Sequence, residues 1–348
     1  MSSIASPTLW AVTIGLVLAL LALDFALTRR PHTVRMREAL AWSAFYVALP
    51  LAFGGWVWWQ HGSDRGVEYL TGYLVEKSLS VDNLFVFMLL LAAFAVPRPL
   101  QQRVLLYGIV GALLLRAVFI ALGAVALEAF DWVFLVFGLV LAVTGVKLLR
   151  DARTGAGHAV DVDRLRVVRL VRRLVPVTGE YDGPRLTARR GAAGTARRAL
   201  TPLGLVVIVL LATDLVFAID SVPAVYGITG DPYLVFATNA FALLGLRALF
   251  FVLAGALERL QHLGYGMAAI LVFIGAKLAL HWAHLQWPAV PEIPTLASLA
   301  VILGILAVTV TTSVLAGRAD QRAQRDGPGA GTTAGSALPK QRESGASR

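Results

Sequence analysis

Long apolar runs separated by short polar stretches recur nine times along the chain, near positions 9–27, 39–59, 69–95, 104–127, 131–149, 202–225, 233–256, 264–282 and 296–315. A helix of about 20 residues crosses a hydrocarbon core of about 30 Å, and each run meets that length. The pattern predicts an all-α, polytopic membrane helical bundle with about nine transmembrane helices. Composition agrees, because 57% hydrophobic residues and a mean hydropathy of +0.72 lie outside the soluble range.

Polar positions inside the runs carry more information than the runs themselves. Glu76 and Asp82 lie in the third run, and Asp214 and Asp220 lie at the same spacing in the sixth. A carboxylate in the bilayer interior costs roughly 2.5–3.5 kcal/mol on insertion scales, so four cost on the order of 10 kcal/mol. Residues that expensive mark a site for binding or transport.

The acids belong to an internal repeat. Residues 76–83 (EKSLSVDN) align with 214–221 (DLVFAIDS), Arg116-Ala-Val-Phe matches Arg247-Ala-Leu-Phe, and Gly145-Val-Lys147 matches Gly275-Ala-Lys277. Runs three to five thus recur as runs six to eight. Three spans is an odd number, so the second copy enters the membrane inverted, a plan shared by many secondary transporters. The expected organisation is two leading spans (1–68), repeat 1 (69–149), an Arg-rich connection (150–201), repeat 2 (202–282), a last span (283–317) and a tail (318–348). That tail is rich in Gly, Ala, Ser and charge and is expected to be disordered.

Net charge is +10, but its distribution is alternating. Arg29, Arg30, Arg35, Arg37, Arg98 and Arg103 and the twelve arginines of 150–201 lie in one set of connections. The other set holds one basic residue, Arg65. The positive-inside rule then puts the N-terminus outside and the C-terminus on the cytoplasmic side. The charge is a topology signal, with no nucleic-acid partner expected. The first run has no positive region before it and no small-residue cleavage site, so it reads as a retained anchor. Within the connection, Val167 to Val175 alternates apolar and basic residues in a helix-compatible way. It is expected to lie near anionic lipid headgroups.

Glu76, Ser80 and Asn83 fall at i, i+4 and i+7 and share one helix face. Asp82, at i+6, lies about 240° round from Glu76 on an ideal helix. The acids therefore need a broken helix or two layers. In the sixth run, Ser221 follows Asp220 and Pro223 frees a backbone carbonyl. Symmetry places Asp82 and Asp214 near the bilayer centre, with Glu76 and Asp220 above them. Together with Asn83, Ser221 and Asn239 they form an oxygen cage suited to a hard cation such as Mn²⁺, Mg²⁺ or Ca²⁺. The chain has no cysteine, and its six histidines sit in loops or at span ends, which disfavours zinc and copper.

Three cations accompany the acids. Lys77 is placed to pair with Glu76, while Arg116 and Arg247 either neutralise the acids, act as gates or bind an anion. Asp24 reads as an interfacial acid. No phosphate-binding loop and no nucleophile–base constellation appears. The chain is therefore expected to be neither an enzyme nor an ATP-driven pump and to carry no cofactor, an ion gradient supplying the energy.

The segment Glu76-Lys-Ser-Leu-Ser-Val-Asp-Asn-Leu-Phe-Val-Phe87 resembles the first signature of the TerC integral membrane proteins. Thr213-Asp-Leu-Val-Phe-Ala-Ile-Asp-Ser-Val-Pro223 is similar to the second, and Thr238-Asn-Ala-Phe-Ala-Leu-Leu-Gly-Leu-Arg247 to the third. The likeness extends over roughly 9–315. It implies a tellurium-resistance-type membrane protein, in a family that includes Alx-like manganese exporters. Glu76, Asp82, Asn83, Asp214, Asp220, Ser221, Asn239 and Arg247 are the positions it carries over. Four carboxylates would repel a tellurium oxyanion, so the expectation is export of a divalent cation, Mn²⁺ before others. The alternatives are a non-transporting scaffold for envelope or secreted-protein biogenesis, and an anion or amino-acid efflux carrier centred on Arg116 and Arg247.

Overall fold

A computed structural model describes residues 3–28, 36–154, 166–190, 197–253 and 262–326. Among these are eleven helices and two short strands: α1 Pro7–Thr28, α2 Met36–His61, α3 Ser63–Ala93, α4 Arg98–Ala129, α5 Trp132–Thr154, α6 Arg166–Leu174, β1 Thr187–Arg190, β2 Arg197–Leu200, α7 Pro202–Tyr226, α8 Pro232–Leu244, α9 Leu246–Leu253, α10 Leu263–Gln286 and α11 Thr295–Asp326. Seven of the described helices are long and apolar enough to cross a membrane: α1, α2, α4, α5, α7, α10 and α11. Helix α3 is as long as its neighbours but heavily charged. The predicted run 233–256 is interrupted at Gly245, between α8 and α9.

Local chemistry starts these helices where the sequence turns. A one-residue connection at Gly62 joins α2 to α3 with φ +91°, a conformation glycine adopts without a Cβ penalty. Thr201 caps α7 by accepting from the Gly204 amide at 3.1 Å, and Asp231 caps α8 by accepting from the Tyr233 amide at 2.9 Å. Proline follows each cap at the first helical position, where its missing N–H is no loss.

Turns gather at two ends of the bundle in the alternation the charges predict. At the upper end, Asp231 accepts from the Ile4 amide at 2.7 Å, and Thr229 Oγ1 donates to Glu68 at 2.8 Å. These bonds join the N-terminal segment, the start of α3 and the α7–α8 turn. At the lower end, the Tyr181 hydroxyl donates to the Phe94 carbonyl at 2.7 Å, and Tyr265 donates to the Ala152 carbonyl at 3.1 Å. Burial pushes the Tyr181 pKa upward, so that donor keeps its proton at physiological pH.

The Arg-rich connection folds back onto this lower end. Val168 of α6 is fully buried in a hydrophobic cluster that also contains Phe87, Leu91 and Leu105, α6 packs on α7, and β1 pairs antiparallel with β2. The small sheet is an addition to the predicted all-α bundle. Helix α11 also continues past Gly317 to Asp326, where the expectation was disorder. Its Ala, Arg and Gln residues are strong helix formers. Residues 327–348 of the predicted tail lie outside the described residues. Asp24, expected at the interface, is buried and has a partner.

The closest helix pairing joins α5 to α10 through glycine. A Cβ on Gly138 would stand 2.8 Å from the Gly275 carbonyl oxygen, and a Cβ on Gly275 would stand 2.7 Å from that of Gly138. Contacts to Leu278 and Leu141 are reciprocal in the same way. This packing relates Gly275 to Gly138, two turns from the Gly145 that sequence alignment pairs with it. Replacing Gly138 with alanine is expected to cost about 1–3 kcal/mol, because the clash is with backbone that no rotamer relieves. Thermal unfolding in detergent measures it, and an unchanged midpoint would contradict the contact.

Candidate functional site

Arg116 is the centre of the buried polar cluster. It projects from α4 and is 0% exposed, as are Glu76 and Asn239, with Asp214 at 1%. Its guanidinium bridges three helices. Nη1 donates to Glu76 of α3 and, at 2.9 Å, to Asn239 Oδ1 of α8. Asp214 of α7 accepts from Nη2 at 3.2 Å and from Nε at 3.4 Å, a two-point grip on the planar fork. With its amide oriented so that Oδ1 faces Arg116, Asn83 accepts from Nη2 at 3.2 Å and donates to the Leu79 carbonyl at 3.1 Å.

Depth explains why these residues meet. At 1.5 Å per residue, Glu76 lies about 20 Å below the first residue of α3 and Arg116 about 20 Å below the last of α4, while Asp214 lies about 18 Å below the last of α7. The expectation placed Asp82 and Asp214 at the centre with Glu76 above. Instead Glu76 and Asp214 meet at one level. Helix α3 begins at Ser63, above the predicted start near 69, which lowers Glu76 relative to its upper end.

Of the two alternatives, a broken helix or two layers, the break does not occur. Helix α3 is continuous through Glu76 and Asp82, and α7 is continuous through Pro223 to Tyr226. The side chains of Asp82 and Arg247 lie outside those described. Asp220 is half-buried and has a partner, about 240° round α7 from Asp214. Ser221 shares Asp214's face and is buried, with no hydrogen-bond partner for its Oγ.

Lys77 does not pair with Glu76. Adjacent residues point about 100° apart on a helix, so Lys77 turns away from the Arg116 cluster. Its Nζ donates to the Ala242 carbonyl at 3.3 Å, at the C-terminal end of α8. A cation there satisfies a helix-end carbonyl and complements the helix dipole. Gly245 permits the approach, since a Cβ there would lie 3.1 Å from Nζ and 2.9 Å from the Tyr46 Cβ. The α8–α9 interruption is therefore built around Lys77, a role that sequence spacing alone does not reveal.

Among the described side chains, two carboxylates and one guanidinium leave the cluster with a formal charge of −1. Its oxygens are not all used. Glu76 Oε2 and Ser80 Oγ are buried without a hydrogen-bond partner. Among the described residues no group of three or more acids or histidines is placed to hold a metal ion. A separate cavity of about 460 Å³ opens at the upper end, lined in part by Glu68, Lys277, His281 and Glu292. It shares no lining residue with the Arg116 cluster.

The model of the integral membrane protein TerC family matches residues 61–321, which contain every residue of this cluster. The chain belongs to the TerC family. Relatives of this TerC-family protein include an uncharacterized membrane protein of Myxococcus xanthus, 44% identical over 280 residues, covering 80% of this chain and 85% of the relative. An uncharacterized membrane protein of Mycobacterium tuberculosis is 43% identical over 281 residues, covering 80% and 70%. The Escherichia coli protein named "Putative membrane-bound redox modulator Alx" is 40% identical over 292 residues, covering 80% and 88%. No solved structure matches the chain significantly. Family and fold together make it a multi-pass integral membrane protein.

Proposed function

We propose that this TerC-family protein exports a hard divalent cation, Mn²⁺ before others, across the bacterial inner membrane, with its N-terminus outside and its C-terminus cytoplasmic. The observation that carries this reading is the buried, unpartnered Glu76 Oε2 in a cluster whose formal charge is −1. A desolvated carboxylate oxygen without a partner is costly, and a cation is the partner its chemistry fits. Oxygen ligands from Glu76, Asp214, Ser80, Asn83 and Asn239, with Ser221 on the same face of α7 as Asp214, favour Mn²⁺, Mg²⁺ or Ca²⁺ over softer metals.

In this reading Arg116 is an internal cation that holds the carboxylates when no metal is bound. Entry of the metal draws Glu76 away from Arg116, and Asp214 retains the guanidinium through its two-point grip. An ion gradient drives the cycle. An anion carrier centred on Arg116 is the weaker reading, because Nε, Nη1 and Nη2 already donate to protein oxygens. The redox wording in the name of the E. coli relative finds no thiol–disulfide chemistry here, since these 348 residues hold no cysteine.

The deciding experiment places the purified full chain in liposomes containing a Mn²⁺-sensitive dye. Glu76→Gln is expected to reduce Mn²⁺ flux at least tenfold. Unchanged flux would remove the metal reading, and absence of flux in the unmodified protein would favour the scaffold.

A further inference from the structure

One face of α3 carries a file of buried side-chain oxygens that no protein group satisfies. Tyr69, Tyr73, Glu76 and Ser80 are 0%, 3%, 0% and 0% exposed. The Tyr69 and Tyr73 hydroxyls, Glu76 Oε2 and Ser80 Oγ all lack a hydrogen-bond partner. At 100° per residue these positions, with Asn83, fall within an arc of about 80°. The file starts one residue after Glu68, which accepts from Thr229 at the upper end, and it descends to the Arg116 cluster.

Packing alone gives no account of the file. An unpaired buried hydroxyl costs about 1–3 kcal/mol, and phenylalanine at 69 or 73 would fill the same space without that cost. The rings are well held: Tyr69 and Tyr73 stack at 6.4 Å with an interplanar angle of 4°, and Tyr69 packs on Phe53 at 5.1 Å. Their hydroxyls are therefore presented in order. Successive members are about 4.5–6 Å apart along the axis.

The same face turns apolar below Asn83. Phe87 and Leu91 occupy it there, buried in the cluster that includes Val168 of α6 and Leu105 of α4. Polar rungs thus lead upward from the centre, and a hydrophobic seal lies beneath it. On α7, the unpartnered Ser221 Oγ sits two turns above Asp214 and extends the polar lining in the same direction.

We infer that the Tyr69–Tyr73–Glu76–Ser80 face of α3 is the passage for a hydrated divalent cation between the Arg116 cluster and the upper end, with Tyr69 and Tyr73 as its lining residues. The inference rests on the metal reading above and adds the route and two residues that reading does not contain.

Tyr69→Phe and Tyr73→Phe keep the rings and remove only the hydroxyls. Each is expected to lower Mn²⁺ flux in the liposome assay at least fivefold. Mn²⁺ affinity by calorimetry in detergent and the thermal midpoint should not fall. A purely structural tyrosine would give unchanged flux with an equal or higher midpoint. If Glu76→Gln abolishes flux while both phenylalanine variants transport normally, the passage is wrong and the metal reading stands. If Glu76→Gln leaves flux unchanged, the metal reading fails and the passage fails with it. The chain has no cysteine, so a Tyr73→Cys variant offers a second measurement. A small cationic thiol reagent should modify it, more slowly with Mn²⁺ present, and lack of modification would overturn the passage.

Discussion

Replacing Arg116 with glutamine is expected to destabilise the protein by about 3–5 kcal/mol, the usual cost of stripping a buried ion pair of one partner. Arg116 donates hydrogen bonds to both Glu76 and Asp214, and all three side chains are essentially inaccessible. Without the guanidinium the two carboxylates face each other in a medium that screens poorly. Mn²⁺ should restore much of the loss, because a ligand at a hundred times its Kd contributes about 2.7 kcal/mol. Thermal unfolding in detergent with and without Mn²⁺, against a K⁺ control, separates the effects. A variant as stable as the parent in the absence of metal would show that the cluster is not held by Arg116. A destabilised variant that Mn²⁺ fails to rescue would count against the metal reading alone.

Asp214→Asn is expected to lower Mn²⁺ affinity about a hundredfold, equivalent to about 2.7 kcal/mol. The substitution keeps size and one acceptor but takes the formal charge of the cluster from −1 to zero. It also weakens the grip on Arg116, which then turns fully to Glu76 and competes with the incoming cation. Asp214→Glu restores charge with altered reach and should recover part of the affinity. Calorimetric titration with Mn²⁺ measures both variants, and an Asp214→Asn protein that binds as the parent does would remove Asp214 from the site.

The membrane class and the alternation of turns between two ends were legible because they depend on local hydrophobic length and on charge counts in connections. Glu76, Ser80 and Asn83 were legible as one face because helical spacing is fixed by the backbone. The tyrosines at 69 and 73 continue that spacing, and only their burial without partners distinguishes them from ordinary membrane aromatics. Lys77 adjoins Glu76 in sequence but not in space, because neighbouring residues diverge on a helix. Gly245 and the carbonyl of Ala242, distant in the chain, supply the partner it has.

By itself the sequence determined what kind of molecule this is, a polytopic helical membrane protein: apolar runs long enough to span a bilayer, with acids inside them and no cysteine. These are properties of composition and of regular helices. Which acid meets which was decided by tertiary structure alone. Helix starts set depth, as Ser63 does for Glu76, and close contacts such as Gly138 on Gly275 set how helices approach one another. A carboxylate's partner depends on depth and azimuth on two helices together. Pairwise packing supplies both, and in this protein it chose Glu76 and Asp214, joined through Arg116.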